Sequence, residues 1–485
     1  MSNQKKVSDD VFKDTKYLFS NLVYKLSSKA DYSDVSILVE KSFGKNYRVS
    51  KSGTLIKDNT FAATGAVIRL QSSNGLYEYS FNDFSKEFIE SVPNIISENI
   101  KNIPSSSRDI SNHYANSIHT VDSRNDNKIC FNKSTSYSVN PKDLSDEEIT
   151  DLLNEIHQNA MDYNKKIIDC VCIFQYLTIH KMYISNTKDL QQNLMWSSGV
   201  IQPLASDGEK TYHYYQSFSK LGGAELLDEM KSDISESCKN AIELLDSTAP
   251  PSGIYDVICM PDVTGLIAHE AFGHGVEMDM FVKDRALAKN YIGTQIASPL
   301  VTMHDNASTC NQTATYFFDD EGTISNDTVI IEKGILKSGI NDLISANILA
   351  VSPTGNGRRE SYERKAYTRM TNTYFEAGQS TLEDMIASID YGILLENGSS
   401  GMEDPKNWGI QCMVNIGREI KDGKLTGKIF SPICLSGYVP DLLKSISMIS
   451  TDLKLSGSGY CGKGYKEWVK VSDGGAAIKA KVTIS

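Results

Sequence analysis

Two of the chain's eight histidines, His269 and His274, lie five residues apart, and Glu270 directly follows the first. Imidazole nitrogen ligates zinc, and an adjacent carboxylate can accept a proton from water held at the metal. The short zinc motif of metallopeptidases spaces its histidines at i and i+4, on one helix face. A spacing of i and i+5 turns the side chains about 140° apart on a regular helix, too far for one ion. A π-bulge absorbs the extra residue, and Gly273 and Gly275 flank His274 where the backbone would leave the helix. The pattern therefore predicts an irregular turn between His269 and His274 if both hold one metal. Without it they are ordinary histidines of a buried helix.

A catalytic zinc usually has three protein ligands and one open position. His304, Glu277 and Asp279 all qualify as the third by residue type. The cysteines are a further choice, since thiolate suits zinc. Cys170, Cys172, Cys259 and Cys434 fall inside apolar runs and read as small buried hydrophobes. Cys461 stands apart, in Ser456-Gly-Ser-Gly-Tyr-Cys-Gly-Lys-Gly464, where four glycines free the backbone and Lys463 would favour the thiolate. Ligand, nucleophile and free thiol are all open to it at this level.

These residues need a scaffold. Residues 254–260 form a short apolar run, read as a buried strand, and Pro261 with Asp262 turns it into the helix that carries His269 and Glu270. Upstream, a helical stripe at 8–29 precedes strand-like runs at 34–41, 47–56, 65–70 and 76–81, and helical period returns at 84–103. A Pro/Ser/Asn-rich stretch at 104–128 reads as a linker, with His113 and His119 as solvated loop residues. Ser145 and Glu148 form a capping box that opens a helix to about 164. Runs at 167–176, 181–185, 194–202 and 211–218 predict an antiparallel meander, with the aromatic run Tyr212–Tyr215 as a two-faced strand. A helix at 224–245 and a break at 249–253 follow. Beyond the motif come a strand at 314–318, helices at 340–350 and 380–390, and short β-type runs between glycine-rich turns. The expected class is α+β: an N-terminal helix–sheet–helix region (1–110), a central antiparallel β/helix region (111–235) and a β-rich C-terminal catalytic region (236–485).

At 485 residues the chain has room for two or three domains. Its net charge of −12 argues against nucleic acid as the main partner, since phosphate binding needs a basic face. No apolar run approaches the roughly 18–20 residues of a membrane span, and the first residues lack the apolar core of an export signal. With nine scattered cysteines, an odd count, reduced thiols in the cytoplasm are expected rather than disulfides.

Several strings in one order give the chain a family resemblance. They are His269-Glu-Ala-Phe-Gly-His274-Gly, Asp319-Asp-Glu-Gly-Thr323, Pro353-Thr-Gly-Asn-Gly-Arg-Arg-Glu-Ser361, Arg369-Met-Thr-Asn-Thr373 and Cys461-Gly-Lys463. On these it resembles the TldD/PmbA metallopeptidases over residues 255–470; the first half matches only in its pattern of strands and helices. The resemblance implies one zinc per chain held by His269, His274 and Cys461, with Glu270 as general base. It implies hydrolysis of unfolded or modified peptides in an enclosed cavity, and a dimer of like chains or with a paralogue. Asp319, Asp320, Glu321, Arg358, Arg359 and Asn372 fall in the matched segments. Asp319, Asp320 and Glu321 are expected to position the metal ligands or bind substrate backbone, Asn372 to hydrogen-bond an extended substrate, and the arginines to bind carboxylates, which guanidinium grips bidentately. Solvated turns are the alternative for the two charged segments. Two other functions remain: a non-catalytic peptide-binding partner subunit, and a cysteine hydrolase using Cys461.

Overall fold

In a computed structural model the structure describes residues 4–8, 10–72, 75–101, 128–465 and 467–485. The expected linker, its two histidines and the boundary at 110/111 therefore lie mostly or wholly outside the described residues. The chain is α+β. Its first half is organised by one nine-stranded sheet whose central strands are long: Asp34–Ser50, Ile167–Ser185 and Lys188–Ser206. The strands of the expected first and second regions thus share one sheet.

Two readings are corrected by those lengths. Asp34–Ser50 is one strand rather than two, because the polar stretch Ser42–Asn46 continues the antiparallel ladder against residues 175–179. Likewise Ile167–Ser185 runs through the expected gap at 177–180, paired on both sides by its neighbours. Alternation along the strands divides the side chains between two faces. Val35, Ile37 and Val39 pack under the helices Lys16–Ser27 and Lys86–Lys101. Leu38, Val67 and Tyr183 point the other way and meet Phe318 from the second half. Helix Asp146–Tyr163 is opened by the expected reciprocal cap of Ser145 and Glu148, and lays Ile149, Leu153, Ile156 and Ala160 on the same sheet. The helix expected at 224–245 is broken at Asp233 into Leu226–Ser232 and Ile234–Glu243.

The second half is built on a closed barrel. Strand Gly253–Cys259 pairs in parallel with Tyr391–Asp404. The ladder continues through Gly409–Lys421, Ile433–Tyr438 and Ile478–Ile484, which returns to pair with Gly253–Cys259. A six-stranded sheet lies alongside, including Met303–Asn306, Asn372–Phe375 and Ser472–Gly475. Helices Leu343–Leu349 and Leu382–Ala387 fall within the expected spans. The expected strand at 314–318 is instead irregular, with one bridge from Phe318 to Ile324, because its backbone turns to meet Gln192 of the first sheet. No helix among the described residues is long and apolar enough to cross a membrane.

Candidate metal centre

Barrel strand Gly253–Cys259 delivers the motif. Pro261 sits at the first turn of helix Pro261–Ile267, where its missing N–H costs nothing. The helix then widens into a π turn over Ala268–Gly273 and tightens into a 3-10 turn at His274–Val276. This is the irregularity that the five-residue spacing requires. The turn is buried: Val263, Ile267, Ala268, Ala271 and Phe272 share the core of the barrel strands. A side chain at Gly273 would strike the Met370 sulfur, its Cβ only 2.2 Å away. The widened turn brings the imidazoles of His269 and His274 to 5.2 Å between centroids, nearly perpendicular.

The sulfur arrives from the other end of the chain. Cys461 lies in strand Tyr460–Lys463, which forms a hairpin with Glu467–Lys470. The buried Arg369 guanidinium fixes that hairpin by donating to the carbonyls of Cys461 and Glu467. His269, His274 and Cys461 each offer one ligand atom, and the three lie within 4.8 Å of one another. Cys461 Sγ stands 3.5 Å from His274 Nε2. Burial pushes the thiol up, but hydrogen bonds from the two imidazoles and their charge outweigh it and hold Cys461 at about 4. The same contacts raise His274 well above the usual imidazole value, with burial opposing and the Glu277 carboxylate the main support. The sulfur is therefore kept as thiolate, its ligating form.

Glu277 accepts from His274 Nδ1 at 3.2 Å, which turns Nε2 toward Cys461. Lys463 donates to Glu277 at 3.0 Å, to Asp279 at 2.7 Å and to the Thr368 carbonyl. Its ammonium thus acts on His274 through Glu277, rather than on the thiol beside it in sequence. His304 is elsewhere, clamped between Asp327 and Glu376. Cys170, Cys172 and Cys259 are buried as expected, while Cys434 is only half-buried.

Glu270 is half-buried beside Gly401, where an added Cβ would lie 2.4 Å from its Cγ. Two carboxylates that no motif marks join it. Glu403 packs against Gly275, and both its oxygens are buried with no more than a loose contact from the Gly275 N–H. Asp473 lies over Gly265, one helical turn before His269; burial raises it to about 6, against the pull of His269. His269 Nδ1 is itself buried and unpartnered.

The other expected site residues gather apart from these, in a buried ionic brace. Asp319 accepts from the backbone N–H groups of Glu321, Thr323 and Gly357. Asp320 pairs with Lys181 and accepts from the Arg359 N–H; Glu321 pairs with Arg69 and accepts from the Leu343 N–H. Arg359 pairs with Glu78 at 2.9 Å. Arg358 donates to the carbonyls of Met370 and Lys470, both at 2.6 Å, and Asn372 to that of Asn306. Arg69, Glu78 and Lys181 belong to the first sheet, so the brace joins the two halves.

Comparison with known proteins agrees with this architecture. Residues 252–473 match the family model described as the PmbA/TldA metallopeptidase C-terminal domain. A "Metalloprotease TldD homolog" of Buchnera aphidicola is 31% identical over 341 residues, 67% of this chain and 70% of that one. A "Zinc metalloprotease TldD homolog" of Saccharolobus solfataricus is 29% identical over 347 residues, 69% and 75% of the two chains. The crystal structure of TldE from Thermococcus kodakarensis shares the fold at a TM-score of 0.69 and 16% identity, over 96% of this chain and all of that one. The chain belongs to the TldD/PmbA family of metallopeptidases.

Proposed function

We propose that this chain is a zinc-dependent peptidase with one zinc per chain, held by His269, His274 and Cys461. The observation that carries the reading is the convergence of two imidazoles and a thiolate on a widened helical turn. Nitrogen and sulfur donors suit zinc, and three of them leave one position open. The unpartnered His269 Nδ1 fits a buried site whose donors are meant for something other than protein. Zinc bound there would supply a Lewis acid that polarises the scissile carbonyl and acidifies water.

The chain's own residues do the rest. Glu270 takes the proton from the attacking water and returns it to the leaving amine. Gly401 leaves the space that its side chain occupies. Glu277, held by Lys463, fixes the His274 ring with Nε2 facing inward. The substrates are unfolded or modified peptides. The active form is a dimer, of like chains or with a TldD/PmbA paralogue. The nine free thiols fit a reducing cytoplasm. The brace residues Asp319, Asp320, Glu321, Arg359 and Asn372 shape the substrate region by holding the two halves in register, and Arg358 faces it.

One observation favours a second reading. A thiolate 3.5 Å from an imidazole is also the pair of a cysteine hydrolase. Metal analysis with peptide cleavage separates the two. Zinc near one per chain in the wild type, lost in His269→Ala and Cys461→Ala, with cleavage abolished by a chelator and restored by zinc, is the expected result. Cleavage that survives chelation overturns it in favour of the thiol nucleophile.

A further inference from the structure

The hairpin that carries Cys461 has a second face. Cross-strand partners share a face, so Cys461 and Val469 lie on one side while Tyr460 and Lys470 lie on the other. Behind that side is a cavity of about 100 Å³, bounded by the first sheet, the brace and the hairpin. Lys470 lines it and is only 7% exposed. Its ammonium donates to the Ser458 carbonyl at 2.8 Å and lies over the rings of Tyr460 and Trp196, at 4.1 and 4.7 Å. No carboxylate pairs with it among the described residues, and burial holds it well below the usual lysine value.

A second basic side chain lines the same cavity. Arg358 spends two N–H groups on carbonyls, one of them that of Lys470, and rests over the Tyr316 ring. It too has no ion pair among the described residues, although four carboxylates line this space. Those four are committed. Glu40 and Asp320 share Lys181, Asp319 is taken by backbone N–H groups, and Glu360 accepts from the Trp468 N–H and faces Arg364. A buried lysine and a half-buried arginine are left facing one cavity with no anion of their own. Ring faces offset only part of the cost of burying such charge. Tyr460 lines the cavity as well, and its hydroxyl is buried beside the Gln175 amide.

We infer that this cavity is a carboxylate-binding subsite, where Arg358 and Lys470 take up a carboxylate of a bound peptide. The inference rests on the peptidase reading and deepens it, since it names a chemical preference in the substrate. The carboxylate is either the peptide's C-terminus or an acidic side chain, and both present the same planar anion to a guanidinium.

The test uses the full chain carrying Glu270→Gln, so that bound peptide is not consumed, and calorimetric titration with three N-acetylated hexapeptides. One is neutral with a C-terminal amide. The second has a free C-terminal carboxylate. The third is amidated with an internal glutamate in place of glutamine. At least one carboxylate peptide binds about tenfold tighter than the neutral one, and which of them gains identifies the source. In the added variant Lys470→Met that preference falls below about twofold, while Lys470→Arg keeps part of it. Lys470→Met replaces a lone ammonium by an apolar chain of similar length among aromatic rings, so it folds; Tyr460→Phe, which removes only a hydroxyl, weakens the preference less. Equal binding of all three peptides, or a preference unchanged by Lys470→Met, overturns the inference. Cleavage of all three at equal kcat/KM by the wild type overturns it too and leaves the peptidase reading standing. Cleavage of none overturns the peptidase reading itself.

Discussion

The two buried polar clusters of this chain are built on opposite terms. In the brace, every carboxylate of Asp319, Asp320 and Glu321 ends on a cation or a backbone N–H. Its unpaired atoms are few, such as Arg359 Nε and Asn372 Oδ1. Around the candidate metal centre more is left open: His269 Nδ1 and Glu277 Oε1 are buried with no partner, and the two buried oxygens of Glu403 have only the Gly275 N–H against them. An unpaired buried polar atom costs about 1–3 kcal/mol, so a fold keeps a group of them only where something else repays the cost. Density of charge does not separate a reactive centre from a structural joint, since both clusters are dense. What separates them is which one is left incomplete.

The largest effect expected on this contrast is kinetic. Glu270→Gln keeps the shape of the side chain but cannot accept a proton. Turnover of a peptide should fall by about 10²–10⁴-fold, with zinc content and melting temperature unchanged. Zinc loss in this variant would make Glu270 a ligand instead. Near-normal turnover with zinc bound would move the proton to another carboxylate, with Glu403 and Asp473 both close to Glu270.

The brace should answer in stability rather than chemistry. Arg69→Met strands the Glu321 carboxylate, whose side chain is only 2% exposed. Breaking a buried pair from one side costs about 3–5 kcal/mol, read as a lower urea midpoint. Zinc per folded chain should not change. Arg69→Met combined with Glu321→Gln should recover part of the loss, because no charge is left behind. A stable Arg69→Met variant with lost zinc would mean that the two clusters are one system.

How far each cluster could be read from sequence follows from the same contrast. The histidine pair, the glycine-flanked thiol and even the π turn were legible, because the motif is local and its spacing is incompatible with a regular helix. Glu403 and Asp473 were not. They carry no motif and reach the site only through the pairing of strands Tyr391–Asp404 and Ser472–Gly475 with their neighbours. The brace was half legible. Its second-half residues stood out as charged strings, but their partners Arg69, Glu78 and Lys181 sit in a sheet far back along the chain. A charged string with its partner out of sight reads as a surface or substrate contact. Strand lengths failed for a related reason: Ser42–Asn46 looks like a turn until its ladder partner is known.

A smaller effect tests the support of the centre. Glu277→Gln keeps a hydrogen-bond acceptor for His274 Nδ1 but removes the charge that Lys463 and the ring both face. Loss of such a partner typically costs about 10–100-fold in metal affinity, so competition with a zinc chelator should show a weaker site in a folded chain. Unchanged affinity would make Glu277 a partner of Lys463 alone.

The smallest effect has the opposite sign and bears most directly on the comparison. Glu403 is placed where both oxygens are buried, with only the Gly275 backbone N–H against one of them. Burial raises its carboxyl well above the usual range, and the nearby Glu270 adds to that, although His274 opposes it. The group is therefore a desolvated acid held by little more than the Gly275 N–H. Glu403→Met has similar length and no polar atoms to strand. If the centre keeps unpaired groups at the expense of stability, this variant should be more stable than the wild type, by about 1 kcal/mol. The comparison is made on chelator-treated protein, so that metal affinity does not enter the urea midpoint. Arg69→Met in the brace must lose stability under the same conditions. A gain in one cluster and a loss in the other is the signature of an incomplete centre beside a completed joint. A loss of stability in Glu403→Met would show that Glu403 is satisfied in the folded chain, and the contrast between the clusters would then rest on His269 and Glu277 alone.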